Sequence, residues 1–266
     1  MKLLLALTIC YTCFFASQTW VLAKSNSVNS VQPHNTNRPG TVNPTQKVSN
    51  EPPPTPSGES PPGGRVRGGA KRGTCPSVKT ELTALVPFTQ NTPTVTNVFG
   101  MTTQAHPTFL FYVPYAKNTT YPAEFVLQDQ ESNSVYEKAI ALPEQPGIIS
   151  ISLPTTIPPL ALNKQYRWFF SVYCDQQKQS PPIYVEGVIK RVNLNQATIQ
   201  QLQTASPLQQ SAIYMKNGIW FEALNILAQL RRKNPLDTAA QEQWQNLLTS
   251  IKLEDIAAEQ LLDKPQ

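Results

Sequence analysis

The sequence predicts a mainly β protein with an α-helical ending: a disulfide-linked antiparallel β-sandwich over residues 75–192, then a helical hairpin or bundle over 193–266. Three observations predict it. Short apolar runs separated by Pro, Gly and Asn fill 75–192, and several of them alternate apolar with polar residues. Around Asn193 the apolar spacing changes from two residues to about 3.6, the period of a helix. Beyond the N-terminal apolar run only Cys75 and Cys174 remain, an even pair whose simplest use in an exported chain is a bridge.

Ahead of this body the sequence divides into residues 1–23, read as a secretory signal peptide, and 24–74, read as a disordered tether. Lys2, the apolar run from Leu3 to Phe15, and the small-residue ending Val21-Leu22-Ala23 are the three parts of a leader. The run is shorter than the roughly 20 residues a membrane span needs. Cys10 and Cys13 lie inside it and are expected to leave with it. Residues 24–74 hold nine of the 25 prolines, seven of the 11 glycines and no aromatic residue. Too little apolar surface is present there to offset the entropy of ordering; as a coil the segment would span roughly 40 Å.

Charge divides the same way. The tether carries seven Lys or Arg against two Asp or Glu, a net of +5, whereas 75–266 carries 14 against 15, a net of −1. The basic character belongs to the tether, so a nucleic-acid-binding body with a basic face is excluded. Arg65-Val-Arg-Gly-Gly-Ala-Lys-Arg72 is a local cluster suited to phosphate, lipid headgroups or acidic polysaccharide, or simply to keeping a linker solvated.

Within the body, Leu82, Ala84 and Val86 alternate with Lys79, Glu81 and Thr83, predicting a strand over Val78–Val86. Thr108–Val113 is apolar on both faces and reads as a central strand. Glu124–Gln128, Ile148–Leu153 and Ile183–Val192 follow, with weaker strands at Val95–Phe99 and Val135–Leu142. The clearest is Tyr166–Cys174: Tyr166, Trp168, Phe170, Val172 and Cys174 fall on one face, Arg167 and Ser171 on the other. Bridging Cys75 to Cys174 would close a loop of roughly 100 residues and remove about 4–5 kcal/mol of unfolded-state entropy. A metal centre on these thiols is disfavoured, because no His lies near to complete the ligand set.

In the helical part, Ala197, Ile199 and Leu202 begin the helical period. Pro207–Asn217 reads as a helix ended by Gly218, and Ile219–Lys233 as a second ended before Pro235. Ala239–Ile251 and Glu254–Leu262 read as two more.

Three resemblances follow from these residues. Leu162-Asn-Lys-Gln-Tyr166 resembles the tyrosine corner of immunoglobulin-like and fibronectin-like sandwiches. Tyr214, Gly218-Ile-Trp220, Ala223 and Pro235 resemble a single tetratricopeptide unit, in which the glycine allows the turn, the alanine lets two helices approach and the proline stops the second. The order Arg72-Gly-Thr-Cys-Pro76, Leu82-Thr-Ala-Leu-Val-Pro87, Phe109-x-Phe-Tyr-Val-Pro114, Tyr166-x-Trp168 through Cys174-Asp175, then Gly218-Ile-Trp220, resembles a family of exported proteins of uncharacterised function found mainly in cyanobacteria. That resemblance implies an exported protein with a two-part body and carries no catalytic residue.

The residues for most enzyme chemistry are missing. The two histidines are His34, in the tether, and His106, before Pro107 at a strand entry; a hydrolytic triad would have to recruit His106 with Asp129 or Asp175. No Gly-x-Ser-x-Gly and no phosphate-binding glycine loop is present, and no metal or other cofactor is expected. Two carboxylates suffice for glycoside hydrolysis, which leaves Glu124, Asp129, Glu131, Asp175 and Glu186 as the third-ranked reading. The leading expectation is a non-enzymatic module that binds a protein of the cell envelope or the extracellular space through a groove beside the helical hairpin, with Tyr214, Trp220 and Leu224 as candidates. Next comes polysaccharide binding, by sugar rings stacked on Tyr112, Tyr115 or Tyr121. Asn118-Thr-Thr120 has the form of a glycosylation acceptor. Nucleic acid is not an expected partner, and the processed chain is not expected to be an integral membrane protein.

Overall fold

Where apolar and polar residues alternate most clearly, the chain forms the middle of a sheet. In the computed structural model, which describes residues 63–69, 75–92, 95–117 and 121–262, Gln165–Val172 forms a strand that buries Trp168, Phe170 and Val172 completely while Arg167 and Phe169 stay half-exposed. The leader, residues 24–62 and 70–74 of the tether, and the acceptor sequence 118–120 lie outside the described residues.

Among the described residues, ten strands and five helices follow in order: β1 Arg67–Gly68, β2 Leu82–Ala84, β3 Phe88–Thr92, β4 Val95–Thr102, β5 Thr108–Val113, β6 Ala123–Gln128, β7 Ser134–Ile140, β8 Gly147–Ser152, β9 Gln165–Val172, β10 Ile183–Arg191, α1 Gln196–Thr204, α2 Pro207–Lys216, α3 Trp220–Lys233, α4 Thr238–Ser250 and α5 Glu254–Ala257. They build two sheets, β1-β2-β5-β8 and β3-β4-β10-β9-β6-β7. The predicted sandwich is therefore present, and its sheets face each other through Phe109, Phe111, Phe125, Trp168 and Phe170, whose ring centroids lie 4.8–6.4 Å apart. Such tilted and edge contacts suit the ring quadrupoles.

Several expectations need correction. The larger sheet is mixed, because β10 enters the slot between β4 and β9 running parallel to β4 and antiparallel to β9. The expected strand over Val78–Val86 shrinks to Leu82–Ala84, and its alternation is lost: Thr83 is as buried as Leu82 and Ala84, and its hydroxyl donates to the Glu81 carbonyl at 2.8 Å. The helix expected over Glu254–Leu262 stops at Ala257. Its tail instead borders β8, with Ile148 N–H donating to Gln260 O at 2.7 Å and Leu262 N–H to Ile148 O at 2.8 Å. An unpaired strand edge outcompetes another helical turn.

The tether also ends earlier than its composition suggests. Residues 63–69 strap the seam between the sheets: β1 pairs with β2, Gly64 N–H donates to Thr96 O, and Arg65 exchanges both backbone bonds with Glu186 at 2.9 Å. The Arg67 guanidinium makes a two-pronged contact with Asp255, at 2.6 and 2.8 Å. The Cys75–Cys174 disulfide is formed, with Cα atoms 4.9 Å apart across a separation of 99 residues.

Sandwich and helices share one core. Phe221 of α3 meets Phe109 edge-on at 5.1 Å, and Trp220 Nε1–H donates to Leu85 O at 2.8 Å. The change at residue 193 is thus a change of element type within a single body. The fully buried Trp244 is held likewise by Ala257 O at 3.1 Å. Arg232 reaches Ser150 on β8 at 2.8 Å, so the helices cover the row of the four-stranded sheet that turns away from the sandwich core. Three layers result: six strands, four strands, helices.

Candidate functional site

The helical hairpin forms as its residues demand. Ser206 and Gln209 make a capping box at the start of α2, with Pro207 in the first turn. At its end Gly218, at φ 72°, closes a Schellman turn: its N–H donates to Met215 O and that of Ile219 to Tyr214 O. Ala223 is fully buried, and the Ser211 hydroxyl donates to its carbonyl at 3.0 Å, so α2 and α3 approach closely. Asn195 caps α1 by accepting from Thr198 N–H at 2.8 Å. The Gln210 side-chain amide donates to the Leu202 and Ala205 carbonyls, fixing the bend between α1 and α2.

Between this bend and the end of β10 lies a cleft of about 370 Å³, walled by Ile199 and Leu202 of α1, Val192 and Leu194 of the β10–α1 connection, Thr103 and Tyr214. Ile199 stands at 37% exposure, a branched apolar side chain left partly in water. Beneath the cleft a carboxylate is buried. Glu222, in the first turn of α3, accepts through Oε1 from the hydroxyls of Thr102 and Thr103 and the backbone N–H groups of Thr103 and Gln104, at 2.5–3.0 Å; its Oε2 is buried without a partner. Arg191 holds the same loop by donating to Thr103 O and Leu160 O. The Tyr214 phenol lies beside Thr103, and its pKa is pushed up by burial and by the negative charge of Glu222. It therefore stays a neutral hydroxyl at the cleft floor.

Of the three residues expected on a binding groove, only Tyr214 lines one. Trp220 and Leu224 are 0% and 1% exposed and belong to the core, which corrects their assignment to a surface. The sugar-stacking set is corrected as well. Tyr112 and Tyr115 are buried, and the half-buried Tyr121 packs edge-on against Tyr115 at 5.9 Å. Burial pushes the Tyr115 phenol up to about 12. Tyr112 lies on the helix-covered row of β5, beside Thr80, Asp255 and Glu259.

Four of the five carboxylates proposed for hydrolysis are engaged elsewhere, and Glu131 is exposed on a turn. Glu124 accepts from the Tyr173 hydroxyl at 2.6 Å and Lys178 at 2.7 Å. Partial burial alone would raise its pKa, but these two contacts outweigh it and hold the group low. Asp129 accepts from Glu131 and Asn133 N–H, and Asp175 from Gln179 and Ser180 N–H, each bracing a turn. Glu186 pairs with Arg167 at 2.9 Å. His106 donates Nε2–H to Ile157 O at 3.0 Å across a loop. Among the described residues no group of three or more His, Cys, Asp or Glu is placed to hold a metal, and no helix is long and apolar enough to cross a membrane.

Sequence reasoning missed Glu222 and Thr103. The signal for the first was there: one acidic residue inside Trp220-Phe-Glu-Ala-Leu224, a run otherwise fit for a core.

Residues 67–261 match the model of the DUF928 family, a domain of unknown function, and the chain belongs to that family. The matched span opens at β1 and closes at Leu261, the two segments that border the four-stranded sheet. No curated protein matches. Among solved structures, the crystal structure of the PmoD soluble domain from Methylocystis sp. ATCC 49242 (Rockwell) is 10% identical and covers 44% of this chain and 95% of that one, at a TM-score of 0.27, too low to carry an argument.

Proposed function

We propose that this DUF928 chain is an exported, non-enzymatic module that captures an envelope or extracellular protein by taking apolar side chains of the partner into the cleft at the α1–α2 bend. One observation carries the reading: the wall is mostly apolar and partly wetted, with Ile199 at the lip and Asn193 and Gln203 among its lining, while a neutral Tyr214 hydroxyl stands beside Thr103. A polar group inside a mostly apolar wall orients a bound chain, and burying Ile199 and Leu202 supplies the affinity. Export is supported by the Cys75–Cys174 bridge, since such bridges persist in oxidising compartments. The tetratricopeptide-like hairpin α2–α3 then serves as the rigid wall rather than as a repeat. The engagement of Glu124, Asp129, Asp175 and Glu186 in pairs and turns favours binding over hydrolysis.

The test is site-specific photo-crosslinking in the native host. A crosslinking residue at position 199 yields discrete protein adducts, and one at Leu236, which is 89% exposed on the α3–α4 turn, does not. Adducts at 199 disappear with Tyr214→Ala in the same chain. The same adducts from both positions, or none from 199, would overturn the reading.

A further inference from the structure

Residues 63–69 are recognised by the body as a peptide would be. A single side chain, Val66, is buried, at 8% exposure. The rest of the recognition is backbone bonding on two sides, to β2 through Val66 O and Ala84 N–H and to β4 and β10 through Gly64 and Arg65, together with the exposed Arg67–Asp255 pair and Arg65 lying 4.5 Å over the Tyr184 ring. The groove is selective. A Cβ at Gly64 would stand 2.8 Å from Val98 Cβ and 2.9 Å from Glu186 O, and one at Gly68 would stand 2.7 Å from Ile183 Cγ2 and 2.9 Å from Tyr184 O. Backbone lies on one side of each position, so neither clash relaxes cheaply. What fits is an extended Gly-Arg-Val-Arg-Gly, and each chain carries one such segment.

We propose that this groove also accepts residues 63–69 of a second copy, so that the protein assembles by exchange of this strap. An element with so little buried surface opens at a cost well below that of unfolding the body. Opening bares the edge of β2 and the Arg65-pairing edge of β10, which are complementary to the same strap in any other copy. Five residues separate Gly69 from Cys75, a connection that reaches about 20 Å when extended. That lets the strap cross to an abutting copy while Cys75 stays anchored to Cys174. The motif thus explains why a basic, glycine-flanked patch sits inside a proline-rich tether.

Two full-length variants test this, R67E and D255R, unfolded with the disulfide intact and refolded separately or mixed in equal amounts. Alone, each sets like charges together, both within a chain and between copies. Mixed, the R67E strap meets the D255R groove, and the unaltered strap meets the unaltered Asp255, so only the exchanged pair satisfies both contacts. Light scattering should show a species of twice the chain mass in the mixture, at concentrations about tenfold below those at which wild type forms one. A free peptide of residues 62–70 should dissolve it, and the same peptide with Gly64→Val and Gly68→Val should not. A mixture that stays at single-chain mass up to about millimolar concentration, or a dimer indifferent to the peptide, would overturn the proposal.

Discussion

Leu110 in β5 and Val126 in β6 are both apolar residues at mid-strand, and their surroundings differ. Leu110 is 1% exposed although it turns away from the sandwich core, because the helical layer covers that face; its register partner Ser150 is the one Arg232 contacts. Val126 also turns away from the core, pairs with Phe169, and stays half-exposed. The four-stranded sheet is buried on both faces and the six-stranded sheet on one. Layer position therefore decides how much of each strand is core, and the two sheets should respond differently to the same kind of change.

The largest effect should come from the bond joining the sheets. Cys75 lies between β1 and β2 of the four-stranded sheet and Cys174 follows β9 of the larger one. Reduction should lower stability by about 4–5 kcal/mol on loop-closure entropy, read as a shift in the denaturant midpoint. Alkylation of the unreduced protein should label neither Cys75 nor Cys174. A small shift would mean that the layers hold each other without the tie.

Leu110→Ala and Val126→Ala test the contrast directly. The first should cost about 2–5 kcal/mol, as large-to-small core changes do, and the second less than about 1 kcal/mol. Equal costs would show that the helical layer does not seal the smaller sheet.

The smallest effect belongs to the strap. Arg67 hydrogen-bonds Asp255 and holds its carboxyl below the usual range. The side chains are 29% and 47% exposed, so solvent screening limits the pair to about 0.2–1 kcal/mol. Because the folded-state pKa is depressed, this contribution is complete above the ordinary carboxylate range and is lost as pH falls through the folded value. The melting temperature of Asp255→Asn should lie slightly below wild type at neutral pH and converge with it in acid.

The same contrast explains what was legible. β9 was readable because its two rows differ in polarity: Arg167 and Ser171 mark the outer row, half-exposed at Arg167, and Trp168 and Phe170 the inner. β5 was readable as central because both of its rows are apolar. The helices were readable from Gly218, Pro207 and Pro235, residues whose backbone geometry acts locally. β1 was illegible, since Gly-Arg-Val-Arg-Gly holds one apolar residue and composes like its linker surroundings. The groove candidates were partly misplaced because an aromatic on an amphipathic helix looks the same whether it faces solvent or a sheet, and a sheet lies over Trp220 and Leu224.

By itself the sequence determined the local matters: periods of two and 3.6, caps and stops, the pairing of the two remaining cysteines, and a neutral body behind a basic tether. These depend on contacts a few residues apart, or on counts. Only the tertiary structure decided which face of each element is covered, that β10 runs parallel to β4, that residues 63–69 and 260–262 close the open edges, and that Tyr214 and not Trp220 meets water. Each of those depends on which distant segment arrives at a surface, and burial is a property of the two surfaces together.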